Sequence, residues 1–213
     1  MLKIPEVTLI MLTGKDFDKH KKAIDYSCRG IEFGGVKIIW DDKIKNINDW
    51  DKKVVFDLWR YVDTPFALFI HPDGFVVNPE SWNPDWLKYD YIGAPWPLPK
   101  DDYSYRDPLD HIQRVGNGVS LRSKKLMELP TKLNLEWKPY YGYTNEDGFM
   151  CVHNKHLFEV EGCRWAPIGV AKYFSREFEL PENEDVDKPF CFHTVDSSAG
   201  FHEQGRNKVY TDL

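Results

Sequence analysis

The sequence lacks most of the features that mark a familiar class of protein. No apolar run approaches the ~20 residues needed to span a bilayer, so no membrane span is expected. The stretch Val7–Leu12 is too short for a secretory leader and follows Pro5 and Glu6. There is no Asn-x-Ser/Thr acceptor, and the four cysteines (Cys28, Cys151, Cys163, Cys191) contain no Cys-x-x-Cys pair. Free thiols in a reducing, cytoplasmic setting are the simplest reading. Basic charge is not in excess: Lys+Arg 28 against Asp+Glu 34 leaves a net charge of −6, which argues against a nucleic-acid partner. A G-x-S-x-G elbow and a Walker lysine loop are also missing, which sets aside serine hydrolases and P-loop kinases.

What is present favours one folded domain. The 213 residues are 42% hydrophobic and 15% aromatic, with 8 Trp, 11 Tyr and 13 Phe. That supports a sizeable core and the walls of a small-molecule cleft. No internal repeat or low-complexity linker occurs. The chain reads as a single domain over 1–213, expected to be a piece of a longer protein because it ends in polar sequence.

Hydrophobic patterning predicts a strand over Val7–Leu12, a helix over Asp16–Ser27 and a break at Gly34-Gly35. A strand over Val36–Trp40, a helix over Val54–Val62 and a strand over Phe66–Ile70 follow. Strand–helix alternation of this kind indicates a mostly parallel α/β sheet with right-handed crossovers. Beyond Val77 the pattern loosens. A short strand is expected at Phe75–Val77, then an irregular Pro- and Trp-rich segment over Asn78–Asp107. A strand end and short helix fit Val119–Leu129, and helices fit Asp147–Phe158 and Pro167–Phe178.

Four constellations carry potential chemistry. His71-Pro72-Asp73-Gly74 follows the most apolar strand, where ligands of open α/β sheets bind. Asp73 there can hold a divalent cation, although Pro and Gly at these positions also suit a plain type I turn. Glu146 and Asp147, at the start of a helix, can act as a base or orient a hydroxyl, or Asn145 or Asp147 can merely cap the helix. Gly116-Asn117-Gly118 allows close backbone approach to a ligand, or forms a simple hairpin turn; Leu121 in place of a third glycine disfavours a dinucleotide fingerprint. His193 lies in an apolar segment and is either a ligand or a hydrogen-bonded core residue. His153 and His156 read as surface residues.

Taken in order, these segments resemble a glycosyltransferase-like family long catalogued as a domain of unknown function. The shared motifs are FALFIHPDGFVV (66–77), YDYIGAPW (89–96), VGNGVSLRS (115–123), NEDGF (145–149), WAPIGVAKYFS (165–175) and PFCFH (189–193). The first resembles the strand and metal-binding DxD turn of GT-A glycosyltransferases, with His71 replacing the first Asp. The resemblance implies a GT-A-like, Rossmann-like three-layer sandwich. Residues 1–77 would form the nucleotide-binding half, and 78–213 a looser half for donor sugar and acceptor.

It further implies Mn²⁺ (or Mg²⁺) held by Asp73 and His193, with His71 beside them. Thr13, Gly14, Asp41 and Arg60 would serve the nucleotide, and Gly116, Asn117, Gly118 and Trp96 the donor. Asp147 and Glu146 would stand at the reacting centre. The activity implied is a hexosyltransferase moving a hexose or deoxyhexose from a UDP-sugar or related donor to a glycan or glycoprotein hydroxyl. Because the resemblance reaches large virus-encoded enzymes, a viral protein in host cytoplasm is the matching expectation. Transfer chemistry is consistent with this set: a cation offsets charge on the departing diphosphate, and carboxylates stabilise an oxocarbenium-like centre. Tyr140, Tyr141 and Tyr143 suit the apolar faces of sugars. Two other readings remain open, a catalytically inactive sugar-binding module and a metal-dependent nucleotidyltransferase or phosphohydrolase.

Overall fold

The computed structural model of the protein describes residues 1–140 and 144–193. Tyr141, Tyr143 and the polar tail after Ala199 lie outside the described residues. Five strands form the central sheet: β1 (Leu2–Thr13), β2 (Ile31–Trp40), β3 (Phe66–Phe69), β4 (Tyr91–Pro95) and β5 (Val115–Ser123), in the order β2-β1-β3-β5-β4. β1 pairs in parallel with β2 and β3, while β5 runs antiparallel to both β3 and β4. Of these five strands β5 alone is reversed, so the sheet is mixed, with both halves of the chain supplying strands. Among the described residues no helix is long and apolar enough to cross a membrane.

Helices α1 (Phe17–Ser27), α2 (Ile47–Phe56), α3 (Lys124–Lys132) and α6 (Ile168–Phe174) cover the sheet; the short α4 (Glu146–Gly148) and α5 (Lys155–Val160) precede α6. Side-chain alternation explains the layering. Val7, Leu9 and Met11 of β1, with Leu68 and Ile70, join Ala23 and Ile24 of α1 and Phe174 of α6 on one face. Ile10, Leu12, Ala67 and Phe69 face Val54 of α2 and Met127 of α3 on the other. The result is an α/β arrangement with helices on both faces of one sheet.

The structure corrects several element boundaries. β1 begins at Leu2, and the Gly34-Gly35 pair lies inside β2 instead of breaking it. At the register shift between Ile4 and Thr8 the neighbouring strand comes very close, and a Cβ on Gly34 would sit 2.0 Å from the Pro5 carbonyl oxygen. Glycine here permits approach rather than ending the strand. Helix α2 starts earlier than expected because Asn46 caps it, accepting the Asp49 N–H at 3.0 Å. The expected helix end instead becomes a separate 3₁₀ turn, Leu58–Tyr61.

The predicted helix over 147–158 is three pieces: α4, a π-helical turn at Phe149–His153, and α5. The Asn154 N–H reaches back to the Phe149 carbonyl at 3.2 Å, five residues away, which widens the turn. Phe178 extends a helical period, but α6 stops at Phe174. The chain then straightens into β6 (Ser175–Arg176), which pairs in parallel with β7 (Cys191–Phe192). Phe75–Val77 forms no full strand; Val76 makes a single bridge to Cys191.

Candidate functional site

The site begins where β3 ends. The turn at residues 71–74 is tight, with His71 and Gly74 exchanging backbone hydrogen bonds at 2.7 and 3.2 Å. The plain-turn expectation therefore holds for the backbone, and the same turn presents two side chains. Ligating atoms of His71, Asp73 and His193 all lie within 4.8 Å of one another. His193 arrives from the far end of the described chain, just after β7, and its N–H is held by the Arg176 carbonyl at 3.0 Å. Its Nε2 is 3.8 Å from Asp73 Oδ1, and its Nδ1 is 3.4 Å from Glu177 Oε1.

The His71 ring packs against Trp50 and Phe69, with centroids 5.3 and 5.0 Å away. Gly118 makes room for it: a Cβ there would lie 2.7 Å from His71 Nε2. Burial, with His193 and Arg122 adding to it, holds the His71 imidazole well below its usual range, so it is neutral. Its Nε2 is buried and has no hydrogen-bond partner. Burial opposes charge on His193, but Glu177, then Asp73 and Asp147, raise it above the usual range. A neutral imidazole with an idle nitrogen, a second imidazole and a carboxylate make a mixed N/O donor set. Such a set fits Mn²⁺ better than Mg²⁺, which prefers oxygen alone.

One cavity opens on this cluster, and a smaller one approaches it only through Glu177, the neighbour of His193. The larger, about 480 Å³, is lined by Thr13, Gly14, Lys15, Trp50, His71 and His193 among others. It lies at the C-terminal ends of β1 and β3, where open α/β sheets bind ligands. Its wall is well fixed: the Trp50 indole N–H donates to the Leu12 carbonyl at 3.0 Å. The smaller, about 250 Å³, is lined by Trp96, Tyr105, Asp147 and Glu177. Trp96 and Tyr105 stack with centroids 4.8 Å apart.

A buried charge network joins β5, α4 and α2. Arg122 Nη2 and Glu146 Oε2 are 2.8 Å apart with side chains 2% and 4% exposed. Arg122 also donates to Ser120 Oγ at 2.7 Å, and its guanidinium faces the Phe69 and Tyr91 rings. The Glu146 N–H donates to Asp51 Oδ1 at 3.3 Å. Burial pushes Asp51 up to about 7, with Asp147 adding to the rise. Asp147 is likewise raised by burial and by Glu177.

Most of the expected site residues meet here, though not all in the expected way. Thr13 and Gly14 line the larger cavity, Asp147 and Trp96 the smaller. Asn145 does not cap α4 with its side chain, and Asp147 Oδ1 accepts the adjacent Gly148 N–H at 2.8 Å. The Gly116–Gly118 segment is no hairpin turn. It lies inside β5, where the register shifts opposite Gly93 and Asn117 takes φ 93°. Asn117 Oδ1 accepts the Val119 N–H at 2.8 Å, while its buried Nδ2 has no partner.

Asp41 is committed to Lys53, 2.5 Å away, which holds its carboxyl below the usual range. Arg60 is exposed, pairs with Asp57 at 3.3 Å, lies over Trp59 and lines neither cavity. His153 is buried, not at the surface. Its ring lies 4.6 Å from that of Tyr140, and burial lowers it to about 4. Glu177, Asp51 and Trp50 lie in no motif that sequence reasoning could have used, and Arg122, although inside the 115–123 motif, was not singled out. The four cysteines are free, and all but Cys28 are buried.

The geometry defines an α/β protein with a cleft at its strand ends and, in the wall of that cleft, two members of a His–Asp–His cluster. The chain belongs to the family described as protein of unknown function DUF5672, whose match spans residues 42–193. The cluster, Asn117, Glu146 and Asp147 fall within that match, whereas Thr13, Gly14 and Asp41 precede it. No curated relative matches the chain.

Proposed function

We propose that the protein is a metal-dependent glycosyltransferase of GT-A type. It transfers a hexose or deoxyhexose from a nucleotide-diphosphate sugar, a UDP-sugar before others, to a glycan or glycoprotein hydroxyl. The single observation carrying this reading is the His71–Asp73–His193 cluster, two of whose members line a 480 Å³ cavity at the strand ends. The larger cavity suits a nucleotide: Trp50 offers an aromatic wall, and Lys15 and Lys45 offer cations for phosphates. Mn²⁺ held by the three residues would neutralise the leaving diphosphate.

The remaining work falls to the chain's own carboxylates. The acceptor oxygen attacks the anomeric carbon, the bond to the diphosphate oxygen breaks, and the diphosphate leaves with the electron pair. In an inverting transfer Asp147 takes the hydroxyl proton, a role its raised affinity for protons favours. In a retaining transfer the same carboxylate positions the acceptor. Glu146, tied to Arg122, holds the floor of the site.

The test is a panel of UDP-, GDP- and TDP-sugars with Mn²⁺, reading nucleotide release. Turnover of one sugar donor, lost on chelation, supports the proposal. Metal-independent UDP binding without donor turnover replaces it with a sugar-binding module. Hydrolysis of free nucleotides replaces it with a phosphohydrolase.

A further inference from the structure

Glu177 lies outside every motif singled out in the sequence, yet the backbone delivers it to His193. β6 and β7 pair in parallel, Ser175 with Cys191 and Arg176 with Phe192. One step further along that register places Glu177 beside His193, and the His193 N–H bonded to the Arg176 carbonyl locks the alignment. Arg176 is itself fixed, donating to the Asn183 carbonyl at 2.8 Å and to the Val186 carbonyl. Glu177 is only 7% exposed, so its carboxylate sits where burial is costly without a partner.

The two nitrogens of His193 face different carboxylates. Nδ1 is buried and lies 3.4 Å from Glu177 Oε1, near enough for an ion pair although no hydrogen bond is formed, and Nε2 is 3.8 Å from Asp73 Oδ1. An imidazole that donates N–H through one nitrogen keeps a lone pair on the other. Carboxylates placed behind metal-bound histidines act in this way, fixing the tautomer and raising the ligand's basicity.

We infer that Glu177 is a positioning residue: it accepts the His193 Nδ1–H and thereby turns the Nε2 lone pair toward Asp73 and His71 as a ligand for a divalent cation. This rests on the metal-dependent reading above. It adds a residue from outside the His–Asp–His cluster, and it links that cluster to the smaller cavity, which Glu177 also lines.

The test has two readouts. Long-range ¹H–¹⁵N NMR of the metal-free protein at alkaline pH reports the neutral His193 tautomer directly; the Nδ1–H form is expected, and the Nε2–H form overturns the assignment of Glu177 whatever the metal does. Mn²⁺ binding is then followed by electron paramagnetic resonance in the wild type, Glu177→Gln and Glu177→Ala. A loss on the order of 10- to 100-fold in Mn²⁺ affinity is expected, with thermal unfolding of the metal-free variants close to wild type. If Glu177→Ala does not fold, Glu177→Leu, which keeps the volume and removes the acceptor, decides. Equal Mn²⁺ affinity in wild type and variants overturns the role of Glu177 and leaves the cation site standing. A wild type that binds no Mn²⁺ overturns both.

Discussion

Arg122 and Glu146 meet beneath the cleft as an ion pair almost wholly withdrawn from water, at 2.8 Å. The pair ties β5 to α4 and so fixes the spacing between the Asn117–Gly118 bulge and the Glu146–Asp147 turn. Removing one member leaves a buried charge without its counterion. Arg122→Met or Glu146→Leu alone is expected to cost about 3–5 kcal/mol in urea unfolding, and the double variant clearly less than the sum. Additive losses would show that the two side chains are not energetically coupled.

Asp73 has a side chain half exposed, at 50%, and its backbone turn closes without it. Asp73→Ala is therefore expected to leave the melting temperature nearly unchanged while abolishing the Mn²⁺ dependence of UDP binding, measured calorimetrically. A variant that unfolds, from a wild type indifferent to Mn²⁺, would reduce the segment to a structural turn.

Asp147 lines the smaller cavity, and its Oδ1 accepts the Gly148 N–H at 2.8 Å, a bond that an Asn side chain can also make. Asp147→Asn is expected to retain UDP affinity and to slow transfer by on the order of 10²-fold or more. Full transfer by the variant would remove Asp147 from the chemistry.

Asp51, raised to about 7 by burial, binds its proton more tightly folded than unfolded. The folded state then holds more protons than the unfolded chain between about pH 4 and about pH 7, and stability falls as pH rises through that window. The slope there is about 1.4 kcal/mol for each pH step of one. Asn keeps an oxygen to accept the Glu146 N–H but does not titrate. Asp51→Asn is thus expected to gain a few kcal/mol on the wild type between about pH 5 and about pH 8. Parallel pH profiles in urea unfolding would count against a buried, protonated Asp51.

The front of the fold was legible because its signals are local. Apolar runs and the helices between them appear in the sequence as a β-α-β-α-β pattern, and β1, β2 and β3 follow it. The turn at His71–Gly74 was legible for the same reason. The back half was not, because its determinants are distant: β6 exists only because β7 lies beside it, and the Phe174–Phe178 period conceals that pairing. Asp73 and Asp147 stood out as carboxylates at element ends. Glu177 and Asp51 did not, since each gains its meaning from a neighbour many residues away. Arg60, a nucleotide contact by resemblance alone, turns its side chain to Asp57 and Trp59 and lines neither cavity.

The lateness of His193 in the chain carries a consequence for biogenesis. A ribosome delivers His71 and Asp73 long before the segment that supplies their third neighbour. The three side chains come together only when the β6–β7 ladder is formed, since it holds the His193 N–H on the Arg176 carbonyl. A nascent chain halted before that ladder would present His71 and Asp73 without the third member of the cluster.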